Sequence, residues 1–207
     1  MKNFIFYIIG LNFLALGIVL NISTGLGVAA LSSSIYATSQ IFDMSLGTAS
    51  IIWYMVFVVI QCCLSKTITK EYILEIPLSF AFGYLTDFYD YMINIQPSSY
   101  VGSFLLLCLA LFFISLGVYL TSETNLILNP GDGIVKTIST VFKQPFYNVK
   151  NIFDIAMIAC SITLSLVTQN PFMGIGIGTI ISALMIGRLI KVWNGLLQKR
   201  LFIYKNA

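Results

Sequence analysis

A chain of 207 residues in which 58% are hydrophobic and only 9% are charged is too apolar for a water-soluble domain of ordinary composition. Its net charge of +3 comes from Lys and Arg residues near the ends of apolar runs, so no nucleic-acid partner is expected. The chain has no His, and its four Cys lack Cys-x-x-Cys spacing, so neither a metal nor another cofactor is expected. These features predict one polytopic, all-α membrane domain over residues 1–207, with the lipid bilayer as its first partner.

The apolar runs form two successive sets that match each other at an offset of about 100 residues. In the first half they cover about residues 4–22, 26–42, 47–65 and 73–93, and in the second about 102–121, 128–143, 148–168 and 172–192. Leu16-Gly17 in the first set, for example, recurs as Leu116-Gly117 in the second. We interpret the chain as a tandem duplication, with internal repeats over about 4–93 and 102–192.

The second segment of each set, 26–42 or 128–143, is short and decides the topology. If these segments dip into the bilayer and return, the chain has six transmembrane helices in two inverted three-helix repeats, each with a Gly-rich re-entrant segment. If they cross the bilayer, it has eight spans in two parallel four-helix repeats. Cytoplasmic loops favour Lys and Arg, and only the six-span arrangement places Lys66 and Lys70 on the same side as the N-terminus. We therefore predict six spans with both termini in the cytoplasm, and keep eight spans as the alternative.

Glycine and proline interrupt the apolar pattern at the start of both short segments. The predicted backbone breaks are Gly25, Gly27, Pro130, Gly131 and Gly133. Interrupted backbone at bilayer depth is tolerated only where protein buries it or where it lines a wet cavity. We therefore expect the segments near 26–34 and 128–136 to meet at a central cavity.

Seven polar residues are candidates for binding a small solute or ion. They are Asn129, Asp132, Lys136, Asp154, Glu75, Ser32 and Ser33. Asp132 and Lys136 are four residues apart, so we predict an ion pair between them, either at the cavity or at an interfacial helix start. Glu75 and Asp154 are isolated acids in apolar helices, and such acids usually face the bundle interior unless they lie near the headgroups. The two serines supply hydroxyls to the uncharged half of the cavity, or simply let helices pack closely.

Three short patterns together resemble a known family. They are Leu16-Gly17-Ile18-Val19-Leu20 near the end of the first span, Asn129-Pro130-Gly131-Asp132-Gly133, and Gly176-Ile177-Gly178-Thr179 followed by Gly187. In these patterns the chain resembles the YczE/YyaS/YitT group of bacterial integral membrane proteins, over most of its length. The resemblance implies an integral protein of the bacterial cytoplasmic membrane, in a family whose biochemical activity is largely unassigned.

The motifs in the chain favour transport over catalysis. No serine or cysteine lies in a motif with a partner base, and there is no Gly-x-x-x-x-Gly-Lys-Ser/Thr run for ATP, so the chain is not expected to be an enzyme. We expect a small-solute transporter or channel whose substrate the sequence does not identify. The alternative is a membrane scaffold or accessory subunit that acts through a membrane-protein partner, and a homo-oligomer is compatible with both functions.

Overall fold

The computed structural model describes residues 2–124, 126–167 and 173–201. Within them the chain forms eight helices and no strands, which confirms the predicted all-α class. The helices are α1 (Lys2–Ser23), α2 (Ala30–Ile41), α3 (Leu46–Ser65), α4 (Lys70–Met92), α5 (Tyr100–Glu123), α6 (Pro130–Val141), α7 (Phe146–Val167) and α8 (Ile177–Leu201). The predicted span boundaries at 168 and 172 lie outside the described residues.

Five of these helices are long and apolar enough to cross a membrane. The candidate spans are Asn3–Ser23, Leu46–Ser65, Tyr100–Glu123, Asn148–Leu166 and Ile177–Leu197. They make the chain a multi-pass membrane protein, as its composition predicts. With 23 residues α4 is also long enough, but its acidic side chains make it less apolar than the other five.

The most extensive helix pair is formed by α1 and α5, where small residues let the two backbones approach closely. A Cβ on Gly10 would lie 3.1 Å from the carbonyl oxygen of Gly117, and one on Gly17 would lie 3.0 Å from that of Ala110. Because the contact moves back along α5 as it advances along α1, the two helices run antiparallel. Close approach through small residues is a common way for membrane helices to associate, since lipid tails leave no hydrophobic drive between them.

The short helices α2 and α6 have 12 residues each. Each is therefore about 18 Å long, roughly half of the hydrocarbon core. Before α2 the backbone is left-handed at Gly25 and Gly27, where φ is 65° and 110°, in keeping with the predicted breaks. Before α6 the break lies earlier than predicted, because Pro130 is the first residue of the helix and Gly131 and Gly133 lie in its first turn. These last two glycines permit close packing rather than a turn.

Each short helix packs against a long helix of the other half of the chain. On α2, Oγ of Ser34 donates a 2.7 Å hydrogen bond to the carbonyl oxygen of Met157 on α7. On α6, Oγ1 of Thr137 donates a 3.0 Å hydrogen bond to Oε1 of Gln61 on α3. The two halves are therefore interlocked rather than placed side by side.

The N-terminal ends of the two short helices meet. A Cβ on Gly131 would lie 2.6 Å from a methyl carbon of Leu31, a residue at the matching position of the other short segment. The segments near 26–34 and 128–136 therefore come together, as expected. The positive ends of both helix dipoles lie at this meeting point.

A glycine-rich segment ahead of α8 closes over the loop ahead of α2. The backbone N–H of Val28 donates to the carbonyl oxygen of Gly174 at 2.7 Å, and that of Gly178 donates to the carbonyl oxygen of Leu26 at 2.8 Å. A Cβ on Gly27 would lie 2.5 Å from the backbone N of Gly176 on the other segment. The two segments thus pair through backbone atoms, with no room for side chains between them.

The crossing of α1 and α5 can be tested with a bulky residue at one of its glycines. Gly17→Leu should lower the unfolding free energy by about 1–3 kcal/mol or more, because its Cβ would lie 2.7 Å from the backbone N of Ile114. Gly187→Leu is the matched control, since a Cβ at this exposed position of α8 meets nothing within 4 Å. The measurement is the melting temperature of each purified variant in detergent. Equal melting of the two variants would contradict the assigned crossing.

Candidate functional site

A cavity of about 350 Å³ lies between α3, α4 and α6, in the size range of small-molecule sites. It is lined by Gln61, Ser65, Glu71, Tyr72, Glu75, Leu126, Ile127, Leu128, Gly133, Lys136, Thr137, Thr140 and Val141. Buried polar side chains form its inner end, whereas the exposed side chains of Glu71, Lys136 and Thr140 form its rim. The cavity therefore joins a polar interior to an accessible edge of the bundle.

The carboxyl group of Glu75 lies at the inner end of this cavity, and only 3% of the residue is exposed. Nε2 of the fully buried Gln61 donates to Oε2 of Glu75 at 2.7 Å. Among the described residues no Lys or Arg lies within ion-pair distance of this carboxyl. The ion pairs in the described part of the chain are those of Lys150 with Asp132 and Asp154. Glu75 is thus an interior acid rather than an interfacial one, and its partner is an amide.

Two hydroxyl groups extend this hydrogen-bond network toward the rim. Oγ1 of Thr137 donates to Oε1 of Gln61 at 3.0 Å, and the hydroxyl of Tyr72 lies 3.2 Å from the same Oγ1. Because the Thr137 proton is already donated to Gln61, Tyr72 is the donor in the second bond. The three hydrogen bonds of the chain Tyr72–Thr137–Gln61–Glu75 are therefore all donated in the direction of Glu75.

The hairpin between α3 and α4 places Gln61 opposite Glu75. Lys66 ends α3 in a left-handed conformation, with φ of 53°. Oγ1 of Thr69 then accepts a hydrogen bond from the backbone N–H of Tyr72 at 3.4 Å and caps the start of α4. A short, capped turn thus brings the last turns of α3 against the first turns of α4.

Gly133 on α6 gives the Glu75 carboxyl its space. A Cβ at this position would lie 2.5 Å from Oε1 of Glu75 and 3.2 Å from Oε1 of Gln61. Any side chain here would therefore displace the acid or its amide partner. Oε1 of Glu75 is the carboxyl oxygen that faces α6 and is not engaged by Gln61.

Asp132 pairs with a different lysine from the one predicted. Its Oδ1 lies 3.9 Å from Nζ of Lys150, and the same Nζ donates to Oδ1 of Asp154 at 3.0 Å. Lys136 is instead exposed at the rim of the cavity. The expected Asp132–Lys136 pair is wrong because α6 packs between α3 and α7, so that Asp132 faces α7 whereas Lys136 faces the cavity on the other side of the helix. Asp154 is accordingly not an isolated acid.

Asn129, Ser32 and Ser33 hold the short helices in place. Oδ1 of Asn129 accepts a hydrogen bond from the backbone N–H of Gly131 at 3.1 Å, so Asn129 caps α6. Ser32 and Ser33 are buried, and the backbone oxygen of Ser33 accepts a 3.2 Å hydrogen bond from Oγ of Ser161 on α7. Where a central cavity was expected the two segments are in direct contact, and the cavity lies to one side, between α6 and the α3–α4 hairpin.

Four residues of these two polar clusters escaped the sequence analysis. They are Gln61, Tyr72, Thr137 and Lys150. Gln61 carried a usable signal, because a Gln inside an apolar run needs a buried hydrogen-bond partner. Lys150 carried no such signal, since sequence gives no means of pairing it with Asp132 on another helix.

The chain is similar over its whole length to proteins whose activity is not assigned. The family described as "Family of unknown function (DUF6198)" matches residues 1–195. The protein named "Uncharacterized protein YyaS" of Bacillus subtilis (strain 168) is 23% identical over 208 residues, which cover 99% of this chain and 98% of that relative. No solved structure matches the chain. These similarities confirm the expected resemblance to a YyaS-like family.

The contact between Gly133 and Glu75 can be tested with a double-mutant cycle. Gly133→Ala should lower the unfolding free energy by about 1–3 kcal/mol, because the added Cβ would crowd Oε1 of Glu75. In a Glu75→Ala background, where the carboxyl is absent, the same substitution should cost clearly less. The measurement is unfolding of the four proteins in mixed detergent micelles. Equal costs in the two backgrounds would contradict the contact.

Proposed function

The chain belongs to the family of unknown function DUF6198, and we propose that it is a small-solute transporter of the bacterial cytoplasmic membrane. One observation carries the proposal: a buried carboxyl, Glu75, lies at the inner end of a cavity of about 350 Å³ within a bundle of apolar helices. An ionisable residue inside a membrane domain is costly, and such residues commonly mark solute or ion pathways.

The proposal includes six spans. Over their length α3 and α4 are paired antiparallel, from Gly47 beside Asp87 at one end to Gln61 beside Glu75 at the other. If α3 crosses the bilayer, α4 therefore lies at the same depths, although it is less apolar. With α1, α5, α7 and α8 this gives six spans, and α2 and α6 are too short to be two more.

The proposal also includes two inverted repeats, over about 4–93 and 102–192. In support, α2 begins at Ala30 and α6 begins at Pro130, 100 residues later, and α3 and α7 begin at the same offset. The rings of Phe13 and Phe113, which occupy matching positions in α1 and α5, lie 5.3 Å apart on the antiparallel crossing. Contact between matching residues of antiparallel helices is what a two-fold axis in the membrane plane would produce.

The rim of the cavity is assigned to the cytoplasmic side. Ser65 and Glu71 at the rim are next to Lys66 and Lys70, and α6 ends just before Lys143. Cytoplasmic loops are rich in Lys, so these residues orient the bundle with both termini in the cytoplasm. The solute would then enter or leave this cavity from the cytoplasm.

A carrier fits the arrangement better than a channel. In the other half of the chain, the Gly-rich segment ahead of α8 is hydrogen-bonded to the loop that corresponds to the cavity wall at Leu126–Leu128. Transport across the bilayer requires that this backbone contact at Val28 and Gly174 open. We assign the Asp132, Lys150 and Asp154 cluster to ion or proton coupling, with Asp154 as the proton-linked acid.

One observation favours the alternative, a scaffold or accessory subunit that acts through a membrane-protein partner. Arg188 lies near the middle of the candidate span Ile177–Leu197 and is exposed. A lipid-facing cation at that depth is costly, so a partner helix or a second copy would relieve it. Cross-linking from Arg188→Cys in native membranes tests this alternative. A scaffold should give a product with a different membrane protein, whereas a transporter should give no product or a product with a second copy of this chain.

Transport is tested by reconstituting the purified protein in proteoliposomes and measuring uptake of a mixture of small polar solutes by mass spectrometry. At least one solute should accumulate above the level in protein-free liposomes, and Glu75→Gln should remove most of that uptake by replacing the charge at the inner end of the cavity. Asp90→Asn, which changes an exposed acid at the far end of the same helix, is the matched control and should retain uptake.

Two outcomes would contradict the proposed function. One is the absence of uptake for every solute in a mixture that spans cations, anions and zwitterions. The other is uptake that Glu75→Gln leaves at the wild-type level.

A further inference from the structure

We propose that the cavity binds a small primary ammonium compound, with the ammonium group donating to Oε1 of Glu75. This inference rests on the proposed function of the cavity as a solute site. It assigns the chemical class of the ligand from the direction of the hydrogen bonds and from the charged and apolar residues of the cavity wall.

The hydrogen-bond network prepares Glu75 as an acceptor. Tyr72 donates to Thr137, Thr137 donates to Gln61, and Gln61 donates to Oε2 of Glu75. The donors on these side chains are directed inward and the carboxyl accepts the last of them. Oε1 is then the oxygen left for a ligand, and it accepts from a donor such as an ammonium group.

The charges on the cavity wall select for a positive group at its inner end. Glu75 and Glu71 are acidic and Lys136 is basic, so the ionised wall carries one negative charge in excess. Within the described residues the Glu75 carboxyl has no basic side chain at ion-pair distance. A buried carboxylate without a cation partner is costly, and an ammonium ligand would supply that partner.

Lys136 adds a place for an anionic group nearer the rim. It follows Gly133 by three residues on α6, so the two positions are about one helical turn, roughly 5 Å, apart along the helix. Gly133 lies against Oε1 of Glu75, and Lys136 lies on the exposed side of the same cavity. An ammonium compound that also carries a carboxylate would therefore gain a second contact at Lys136.

The apolar part of the wall is formed by Leu126, Ile127, Leu128 and Val141. A branched aliphatic chain of a few carbons matches this wall and the cavity volume of about 350 Å³. Leucine, 3-methylbutylamine and 4-methylpentanoate are therefore a matched series. They share the aliphatic chain. Leucine carries both charged groups, 3-methylbutylamine carries only the ammonium group, and 4-methylpentanoate carries only the carboxylate.

The test measures the binding of these three probes to the full-length protein in detergent by the rise in melting temperature with ligand concentration. Leucine and 3-methylbutylamine should raise the melting temperature, and 4-methylpentanoate should not. Lys136→Met should remove the advantage of leucine over the amine. Glu75→Gln should weaken the binding of both by at least about tenfold, because it removes a charge-assisted hydrogen bond.

The wild-type series decides the inference even if Glu75→Gln fails to fold. Binding of 4-methylpentanoate without binding of 3-methylbutylamine would overturn the assigned class. So would a folded Glu75→Gln protein that binds the amine as tightly as wild type. If the uptake experiment finds a Glu75-dependent solute with no ammonium group, the proposed function stands and this inference fails. If the protein binds 3-methylbutylamine but takes up no solute, the ammonium-binding inference stands and the proposed transport function fails.

Discussion

The two 12-residue helices α2 and α6 begin inside the bundle, where water does not reach the backbone N–H groups of their first turns, and the protein must satisfy these groups itself. Asn129 does so at α6, where its Oδ1 accepts from the backbone N–H of Gly131. At α2 the acceptor comes from the end of α1, since Oδ1 of Asn21 accepts from the backbone N–H of Ala29 at 2.7 Å. Both acceptors are buried, so the meeting point of the short helices depends on two asparagine side chains.

The need to bury these ends explains why each short helix packs against the opposite half of the chain. The two halves nevertheless differ chemically at matching places. Gln61 and Gly133 of the cavity correspond, at an offset of 100 residues, to Ser161 and Ser33, which hydrogen-bond directly. Near Glu75 the fold leaves a cavity, whereas the glycine-rich segment at 174–178 fills the corresponding space in the other half. One half of the chain thus carries a polar cavity, and the other carries a closed backbone contact.

Composition and periodicity were sufficient to predict the helical membrane class, the approximate positions of the helices and the meeting of the two short segments. The last helix differs most, because α8 continues to Leu201, beyond the predicted end at 192. Periodicity shows which residues share a face of one helix but not which helices pack together. The site was therefore harder to predict, because its residues lie on several helices. The Asp132–Lys136 pair follows from spacing on one helix, but the real partner of Asp132 is on α7. Glu75 was a candidate because an acid is conspicuous in an apolar run, whereas its partner Gln61 belongs to another helix.

In the proposed six-span topology the two short helices enter the bilayer from opposite faces. Gln40 on α2 and Thr140 on α6 are exposed residues at matching positions, 100 residues apart. After replacement of Cys62, Cys63, Cys108 and Cys160, each position is changed to cysteine and labelled in whole cells with a membrane-impermeant reagent, before and after permeabilisation. If the short helices enter from opposite faces, Gln40→Cys labels in intact cells and Thr140→Cys labels only after permeabilisation. Labelling of both from the same face would contradict this topology, because parallel repeats of four spans place both positions on one side.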